Sequence, residues 1–356
     1  MATRLMIGDV RKQLALLDAD SVDCVITSPP YWGLRDYGVE GQIGLEPTLA
    51  EHLAVMVEVF DEVRRVLKPT GTCWVNYGDC YATMPNGRSA AETKAAGGDD
   101  RTFRDKPFST IQGVLKPKDL CMVPNRFAIA MQEAGWWVRS EIIWAKPNPM
   151  PESIHDRPAT SHEKIFMLTK SSRYFYDKDS VRQNMQASSI ARLSQDVENQ
   201  TGSTRANGGR KTNGNMKAVG KIRASDVASP RHAGGINHTG IEGTPRGEGR
   251  NLRNYEPAPL EVWPIATKPF SEAHFATFPP ELAERCILAG CPVGGTVLDP
   301  FGGAGTTALV AERHGRDSVL IELNPEYAEI TRRRLVADAG LFAAVNDNHA
   351  VAKVAA

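Results

Sequence analysis

The chain is predicted to fold as an α/β protein with a doubly wound, mostly parallel sheet that carries an inserted region. Short β-branched runs that stop at turn residues alternate with a helical pattern. Near the C-terminus, strand, glycine-rich loop, helix, strand and acid follow in that order. A long segment without aromatic residues separates the two ordered parts. At 356 residues, one large domain or two small ones fit the length.

The first strand is read at residues 22–27, VDCVIT, where the apolar run stops at Ser28-Pro29-Pro30, because consecutive prolines cannot continue a ladder. From Thr48 to Leu67, apolar residues recur at helical spacing (Leu49, Leu53, Met56, Val57, Phe60, Val63, Leu67), and Lys68-Pro69-Thr70-Gly71 closes the helix. Residues 71–76 read as the next strand, and this β-α-β order implies parallel pairing. Residues 81–118 are poor in aliphatic side chains and are predicted as a long mobile surface excursion. A helix at 126–131, a strand at 136–144 and a strand at 162–169 follow. After the insertion, residues 281–288 are helical in pattern, 295–299 read as a strand, 308–312 as a helix and 317–322 as a strand ending in Glu322.

Apolar residues make up 41% of the chain and charged ones 24%, which excludes wholesale disorder, collagen-like and coiled-coil classes. Basic and acidic residues balance at 42 each, so any nucleic-acid surface must be a local patch. One such patch is residues 181–254, with twelve basic residues, five acidic ones, eleven glycines and no aromatic side chain. Its excess of positive charge suits a phosphate backbone; the plainer reading is a solvated insertion. The six cysteines show no CxxC spacing, which argues against zinc ribbons and disulfide frameworks and for a reduced compartment. No apolar run approaches the length of a membrane span, and the first residues lack a signal core, so a non-secreted, non-membrane protein is expected.

Asp299 and Glu322 are 23 residues apart, near the roughly 20 of a nucleotide-binding unit. Between them, Phe301-Gly302-Gly303-Ala304-Gly305 lets the backbone approach a ligand, and Glu322 can accept hydrogen bonds from a ribose. A carboxylate directly after the strand opposes a pyrophosphate but suits a cationic amino-acid portion, as in S-adenosylmethionine. The turn Thr27-Ser28-Pro29-Pro30-Tyr31-Trp32 reads either as a rigid turn with a partly buried aromatic pair or as a site for an exocyclic amine. Such an amine is a poor nucleophile, because its lone pair is delocalised into the ring. Ser28 offers an oxygen for its N–H hydrogens, the prolines offer free carbonyls, and Tyr31 offers a face for an extruded base.

With these two motifs the chain resembles the amino-methylating DNA methyltransferases (N4-cytosine and N6-adenine). That family's (D/N/S)-P-P-(Y/F/W) tetrapeptide and FxGxG loop stand here as Ser28-Pro29-Pro30-Tyr31 and Phe301-Gly302-Gly303-Ala304-Gly305. The tetrapeptide precedes the loop, which is similar to the family's permuted β-class order. Further similar stretches are Ile7-Gly8-Asp9, Trp144-Ala145-Lys146-Pro147-Asn148, Asp156-Arg157-Pro158 with His162-Glu163, and His274-Phe275-Ala276-Thr277-Phe278-Pro279. The resemblance covers residues 1–80, 119–180 and 255–335.

The resemblance implies a Rossmann-like, S-adenosyl-L-methionine-dependent methyltransferase sheet, with double-stranded DNA as partner and no metal. It assigns the target amine and base to Ser28, Pro29, Pro30 and Tyr31. The cofactor is assigned to Thr277 and Phe278 at its border, to Asp299, Phe301, Gly302, Gly303, Gly305 and Thr306 at its methionine part, and to Glu322 at its ribose. The implied layout is a catalytic half at 1–180, a basic target-recognition insertion at 181–254, a cofactor-binding half at 255–340 and a tail at 341–356. Arg157 and His162 are candidates for DNA contact; with Glu163 they read equally well as direct contacts to DNA or the base pocket and as an internal ion-pair and hydrogen-bond network at the sheet edge. Trp136, Trp137 and Trp144 read as core or rim packing before base stacking. Cys291-Pro292 is in the wrong order for a Pro-Cys nucleophile, so covalent catalysis is not expected.

A Ser at the first tetrapeptide position is more similar to the N4-cytosine subgroup, with N6-adenine as the alternative. The rivals are a protein or RNA methyltransferase and a catalytically idle DNA-binding protein. The resemblance leaves open a homodimer and a cognate restriction endonuclease, and it implies the cytoplasm of a bacterial cell, with a chromosomal or phage gene.

Overall fold

The computed structural model describes residues 1–34, 39–84, 108–181, 260–268, 278–339 and 344–347. Nearly all belong to one compact unit built from Met1–Val181 and Glu261–Ala356. The basic segment predicted at 181–254, apart from Val181, lies outside the described residues, as does Thr277.

Strands and helices follow one another as β1 (Ala2–Ile7), α1 (Val10–Leu14), β2 (Val22–Thr27), α2 (Leu49–Val66), β3 (Leu67–Tyr77), α3 (Val123–Glu133), β4 (Trp137–Ala145), β5 (His162–Thr169) and β6 (Val262–Pro264). Then come α4 (Pro280–Gly290), β7 (Thr296–Asp299), α5 (Thr306–Arg313), β8 (Asp317–Glu322), α6 (Pro325–Ala339) and β9 (Ala344–Asp347). Among the described residues the strands form one nine-stranded sheet in the order β6-β4-β5-β3-β2-β7-β8-β1-β9. Only β5 runs against its neighbours, β3 and β4; every other pairing is parallel.

Both faces of this sheet are covered, which is why its central strands read as continuous apolar runs. Along β2, Val25 enters the core on the α1–α3 face, while Cys24 and Ile26 enter the core on the other. Along β3, Cys73, Val75 and Tyr77 point to the first face and Trp74 to the second. Helix α2 opens with a capping box, in which Thr48 Oγ1 accepts from the Glu51 amide and the Glu51 carboxylate accepts from the Thr48 amide. It buries Met56, Val59, Phe60, Val63 and Val66 against the sheet.

Five elements were not anticipated: β1, α1, β6, α6 and β9. β1 is masked in the sequence by Thr3 and Arg4; the Thr3 hydroxyl lies 2.9 Å from that of Ser318 on β8, so a polar residue is buried without loss. β9 falls in the stretch predicted as a tail from 341, and pairs with β1 from Ala2↔Ala344 to Leu5↔Asp347. α1 is a single short turn, and α6 carries three consecutive arginines that obscure its buried stripe of Ala328, Thr331 and Leu335. The excursion predicted at 81–118 is also corrected in part. Thr110 and Leu115 are buried, and the Phe108 ring packs 5.8 Å from that of Trp32, so Phe108 to Ile111 and Leu115 pack against the fold while Gly113, Val114 and Lys116 to Lys118 stay on the surface. Residues 85–107 lie outside the described residues.

Phe60 of α2 meets Phe127 of α3 edge-on, with ring centroids 5.1 Å apart, and is fully buried. Phe60→Ala should lower unfolding stability by about 3–5 kcal/mol, read as a shift of the urea midpoint at unchanged slope.

Candidate active site

β2 and β7 lie side by side, with Cys24 opposite Val297 and Val25 opposite Leu298. From β2 the chain passes through α2 to β3 on one side, and from β7 through α5 to β8 on the other. Their C-terminal ends therefore flank a topological switch point, the crevice where doubly wound sheets take ligands. Thr27 ends β2 and Asp299 ends β7. The Thr27 hydroxyl donates to Asp299 Oδ1 at 2.7 Å, the Thr307 hydroxyl donates to Oδ2 at 2.7 Å, and the Phe301 amide donates to Oδ1 at 3.1 Å. The Ser28-Pro29-Pro30-Tyr31 turn and the glycine loop after β7 are thus tied to one buried carboxylate. Burial pushes its pKa up to about 6 even though all three hydrogen bonds pull it down.

The glycine loop lies close on β8: the Gly302 amide donates to the Ile321 carbonyl at 2.8 Å, and a Cβ at Gly302 would come within 3.1 Å of Leu320. Gly303 and Gly305 have φ of +50° and +74°, where a side chain is strained. Beside Gly303 a Cβ would meet nothing nearer than 3.9 Å, so this part of the loop faces open space. The loop is held from behind by α6: the Thr331 hydroxyl donates to the Gly303 carbonyl at 2.9 Å, and the Arg334 guanidinium donates to the Ala304 carbonyl. Glu322 ends β8. One of its oxygens accepts from the Gly303 amide and the other from the Asn324 amide, each at 2.8 Å, so both keep acceptor capacity. Burial, helped by the Asp299 charge and opposed by the backbone amides, raises its pKa to about 7.

On the other side of the crevice, Tyr31 stacks on Tyr77 with centroids 5.3 Å apart, and Tyr77 stacks on Phe127, also at 5.3 Å. Gly78 makes room for this: a Cβ there would run into the Tyr31 ring. The Tyr77 hydroxyl lies 2.5 Å from His52 Nε2, and His52 Nδ1 lies 2.7 Å from Glu46 Oε2, so a buried chain fixes the lower ring. The Tyr31 hydroxyl donates to Glu163 Oε2 at 2.9 Å and accepts from the Ser28 hydroxyl at 3.3 Å. Asn76 Nδ2 donates to Glu163 Oε2 at 3.0 Å, and the Lys146 ammonium pairs with Oε1. Burial, followed by the Glu163 charge, pushes the Tyr31 phenol well up.

The remaining predicted residues fall as follows. Phe278 is buried in the core on the α4–α6 face, and Thr306 is buried at the start of α5. The Arg157 guanidinium lies 3.8 Å over the Tyr81 ring and pairs with Glu152 at 2.9 Å, whereas His162 is exposed at the start of β5. Trp136 and Trp144 are buried and Trp137 is half exposed. Sequence reasoning missed Thr307, Thr331, Arg334, Glu46, His52, Asn76 and Tyr77 as parts of the site. Only Lys146 and Glu163 carried a signal, each lying in a stretch similar to the amino-methylating family. Among the described residues, no group of three or more His, Cys, Asp or Glu side chains is arranged to hold a metal ion, and no helix is long and apolar enough to cross a membrane.

A switch-point crevice with a glycine loop and an acid of spare acceptor capacity on one wall, and a hydroxyl, prolines and an aromatic face on the other, fits a nucleotide-cofactor-dependent transferase of doubly wound fold. The DNA methylase family of the N6/N4 type matches residues 22–333, and the chain belongs to that family. It is similar to the Type II methyltransferase M.Cfr9I of Citrobacter freundii, 41% identical over 92% of this chain and 86% of the relative. It is also similar to M.SmaI of Serratia marcescens, 38% identical over 94% and 90% of the two chains. Two solved structures share the fold. PvuII DNA methyltransferase, described as cytosine-N4-specific, aligns with a TM-score of 0.57 at 19% identity over 94% of this chain and 86% of that one. TTHA0409 of Thermus thermophilus, a DNA modification methylase solved with S-adenosyl-L-methionine, aligns with a TM-score of 0.52 at 21% identity over 97% and 99%.

Gly78→Ala should displace the Tyr31 ring without disturbing the glycine loop. Single-turnover methylation should fall by about 10²-fold, the cost of roughly an ångström of misplacement, while cofactor affinity from equilibrium binding stays unchanged.

Proposed function

We propose that this DNA methyltransferase transfers a methyl group from S-adenosyl-L-methionine to N4 of a cytosine rotated out of the duplex, with N6 of adenine as the second reading. The observation that carries the site assignment is the Asp299 carboxylate, bound at once by the end of β2 and by the loop after β7, which joins tetrapeptide and glycine loop at one crevice. When bound, the cofactor supplies a methyl group activated by a positively charged sulfur. The open side of Gly303 and the spare acceptor capacity of Glu322 fit such a ligand: Glu322 would hold its ribose hydroxyls, and the Phe301–Thr306 loop, braced by Asp299, its methionine part. Phe278 and Thr277 are assigned to its border by resemblance.

The target amine has its lone pair drawn into the base, so the site has to restore nucleophilicity. Ser28 Oγ and the carbonyls of the proline turn would accept the N–H hydrogens and favour a pyramidal nitrogen. Tyr31, with one face packed on Tyr77, would clamp the base with the other. Holding donor and acceptor in line supplies much of the acceleration. Ser28, in place of an acid at the tetrapeptide's first position, favours cytosine. Arg157 and His162 are proposed to contact DNA from the rim. The two Type II methyltransferases named above come from bacteria, which supports a bacterial cytoplasm and a companion restriction endonuclease.

Incubation with methyl-labelled cofactor and unmethylated duplex DNA should place label in DNA, and nucleoside digestion should return N4-methylcytosine. N6-methyladenine would shift the assignment to the second reading, and label confined to protein or RNA would refute it. Ser28→Ala should lower kcat by about 10²-fold with cofactor affinity retained, the size of losing one positioned polar contact; equal loss of both would contradict its role.

Glu322 titrates near 7, and ribose donors favour its charged form. Cofactor binding should therefore release a proton below that pH, and affinity should climb as pH rises to about 7 and then level off. Calorimetry in buffers of different ionisation enthalpy measures this release, and Glu322→Gln should lose most of it.

A further inference from the structure

We propose that Glu163 is the proton acceptor of this active site, reached from the target amine through the hydroxyls of Ser28 and Tyr31. This deepens the function proposed above and rests on it. Methylation forms one N–C bond and breaks the donor's S–C bond, whose electron pair stays on sulfur. The nitrogen is left with one proton too many. The geometry provides an exit: Ser28 Oγ to Tyr31 Oη is 3.3 Å, and Tyr31 Oη to Glu163 Oε2 is 2.9 Å. As the amine proton passes to Ser28 Oγ, the serine proton passes to Tyr31 Oη and the tyrosine proton to Glu163 Oε2. The Glu163 side chain is 19% exposed, so the proton reaches bulk water from there.

The direction of this chain follows from the chemistry of its last member. An ionised carboxylate only accepts, so the Tyr31 hydroxyl must donate to Glu163 and is left to accept from Ser28. Ser28 then presents only lone pairs to the amine, the polarity an N–H acceptor needs. Asn76 and Lys146 contribute donors alone to the same carboxylate, so the Tyr31 hydroxyl joins them as a third donor and that order is fixed. Burial and the Glu163 charge hold the Tyr31 phenol protonated between turnovers, ready to donate. The 3.3 Å link is long for two hydroxyls and is of the kind that tightens when a substrate fills the site. The tetrapeptide pattern also admits Phe or Trp at the Tyr31 position, so the relay belongs to this chain and not to the pattern.

The test is single-turnover methylation of duplex DNA by the full chain carrying Glu163→Gln, Tyr31→Phe or both, with Kd for S-adenosyl-L-methionine and for DNA measured alongside. Each single variant should slow transfer by about 10²-fold, the low end for a positioned acid–base group, with both Kd values unchanged. The double variant should be no slower than either single one, because one chain is cut twice. Slowing of the wild type in deuterated water should vanish in all three. A near wild-type rate for Glu163→Gln, or losses that multiply in the double variant, overturns the proposal. If Glu163→Gln does not fold, Tyr31→Phe, which keeps the ring stack, decides alone by the same rate and isotope criteria. Ser28→Ala separates this from the underlying reading: a fast Ser28→Ala enzyme refutes the role of the tetrapeptide, whereas slow Ser28→Ala beside fast Glu163→Gln and Tyr31→Phe refutes only the relay.

Discussion

The site depends on one buried carboxylate. Asp299 takes a hydroxyl from the end of β2, a hydroxyl from α5 and an amide from its own loop, and the most distant of these partners lies 272 residues away from it in the chain. A lone carboxylate in this position would cost several kcal/mol, and three donors reduce that cost while fixing where each donor's backbone must run. Strand end, helix start and glycine loop thereby become a single rigid corner. Both motifs are mounted on it: the tetrapeptide one residue after Thr27, and the glycine loop two residues after Asp299.

From that corner outward, rigidity is passed through contacts of different kinds. The glycine loop is tied by its carbonyls to Thr331 and Arg334 and by an amide to Glu322. Tyr31 is fixed by ring stacking on Tyr77, whose hydroxyl meets the buried His52–Glu46 pair, and by its own hydroxyl to Glu163. Helix α6 and β8 supply the supports of the loop, and β3, β5, α2 and the segment before α2 those of the ring. In the proposed function a nucleobase and a methyl donor would be brought into line only if neither wall moves, and reaction rate is steeply sensitive to that alignment.

Much of the fold was legible before the structure was. The bounds read for β2, β5 and β8 agree with those observed, because each carries an apolar run buried on both faces and bounded by turn or polar residues. The helix after β2 was equally plain, since its apolar stripe and its Thr48 cap point to the same start. β1, β9 and α6 escaped because their burial comes from partners and not from pattern: Thr3 is buried against Ser318, β9 pairs with β1, and α6 lies under a glycine loop. Residues 108–118 look solvated in composition, yet Thr110, Leu115 and Phe108 close over Trp32 and its surroundings.

The sequence by itself determined the chemistry on offer: a hydroxyl and two prolines before an aromatic ring, and a glycine loop between two acids. These are local facts, carried by neighbouring residues whose spacing needs no fold to be seen. Only the tertiary structure decided which acids do what. Asp299 turns inward and braces, Glu322 keeps acceptor capacity at the loop, and Glu163, which the sequence left between an edge ion pair and a contact to DNA or base, stands at the hydroxyl of Tyr31. The reason is that a carboxylate's role depends on its burial and on the donors around it, and those arrive from strands that become neighbours only when the sheet closes.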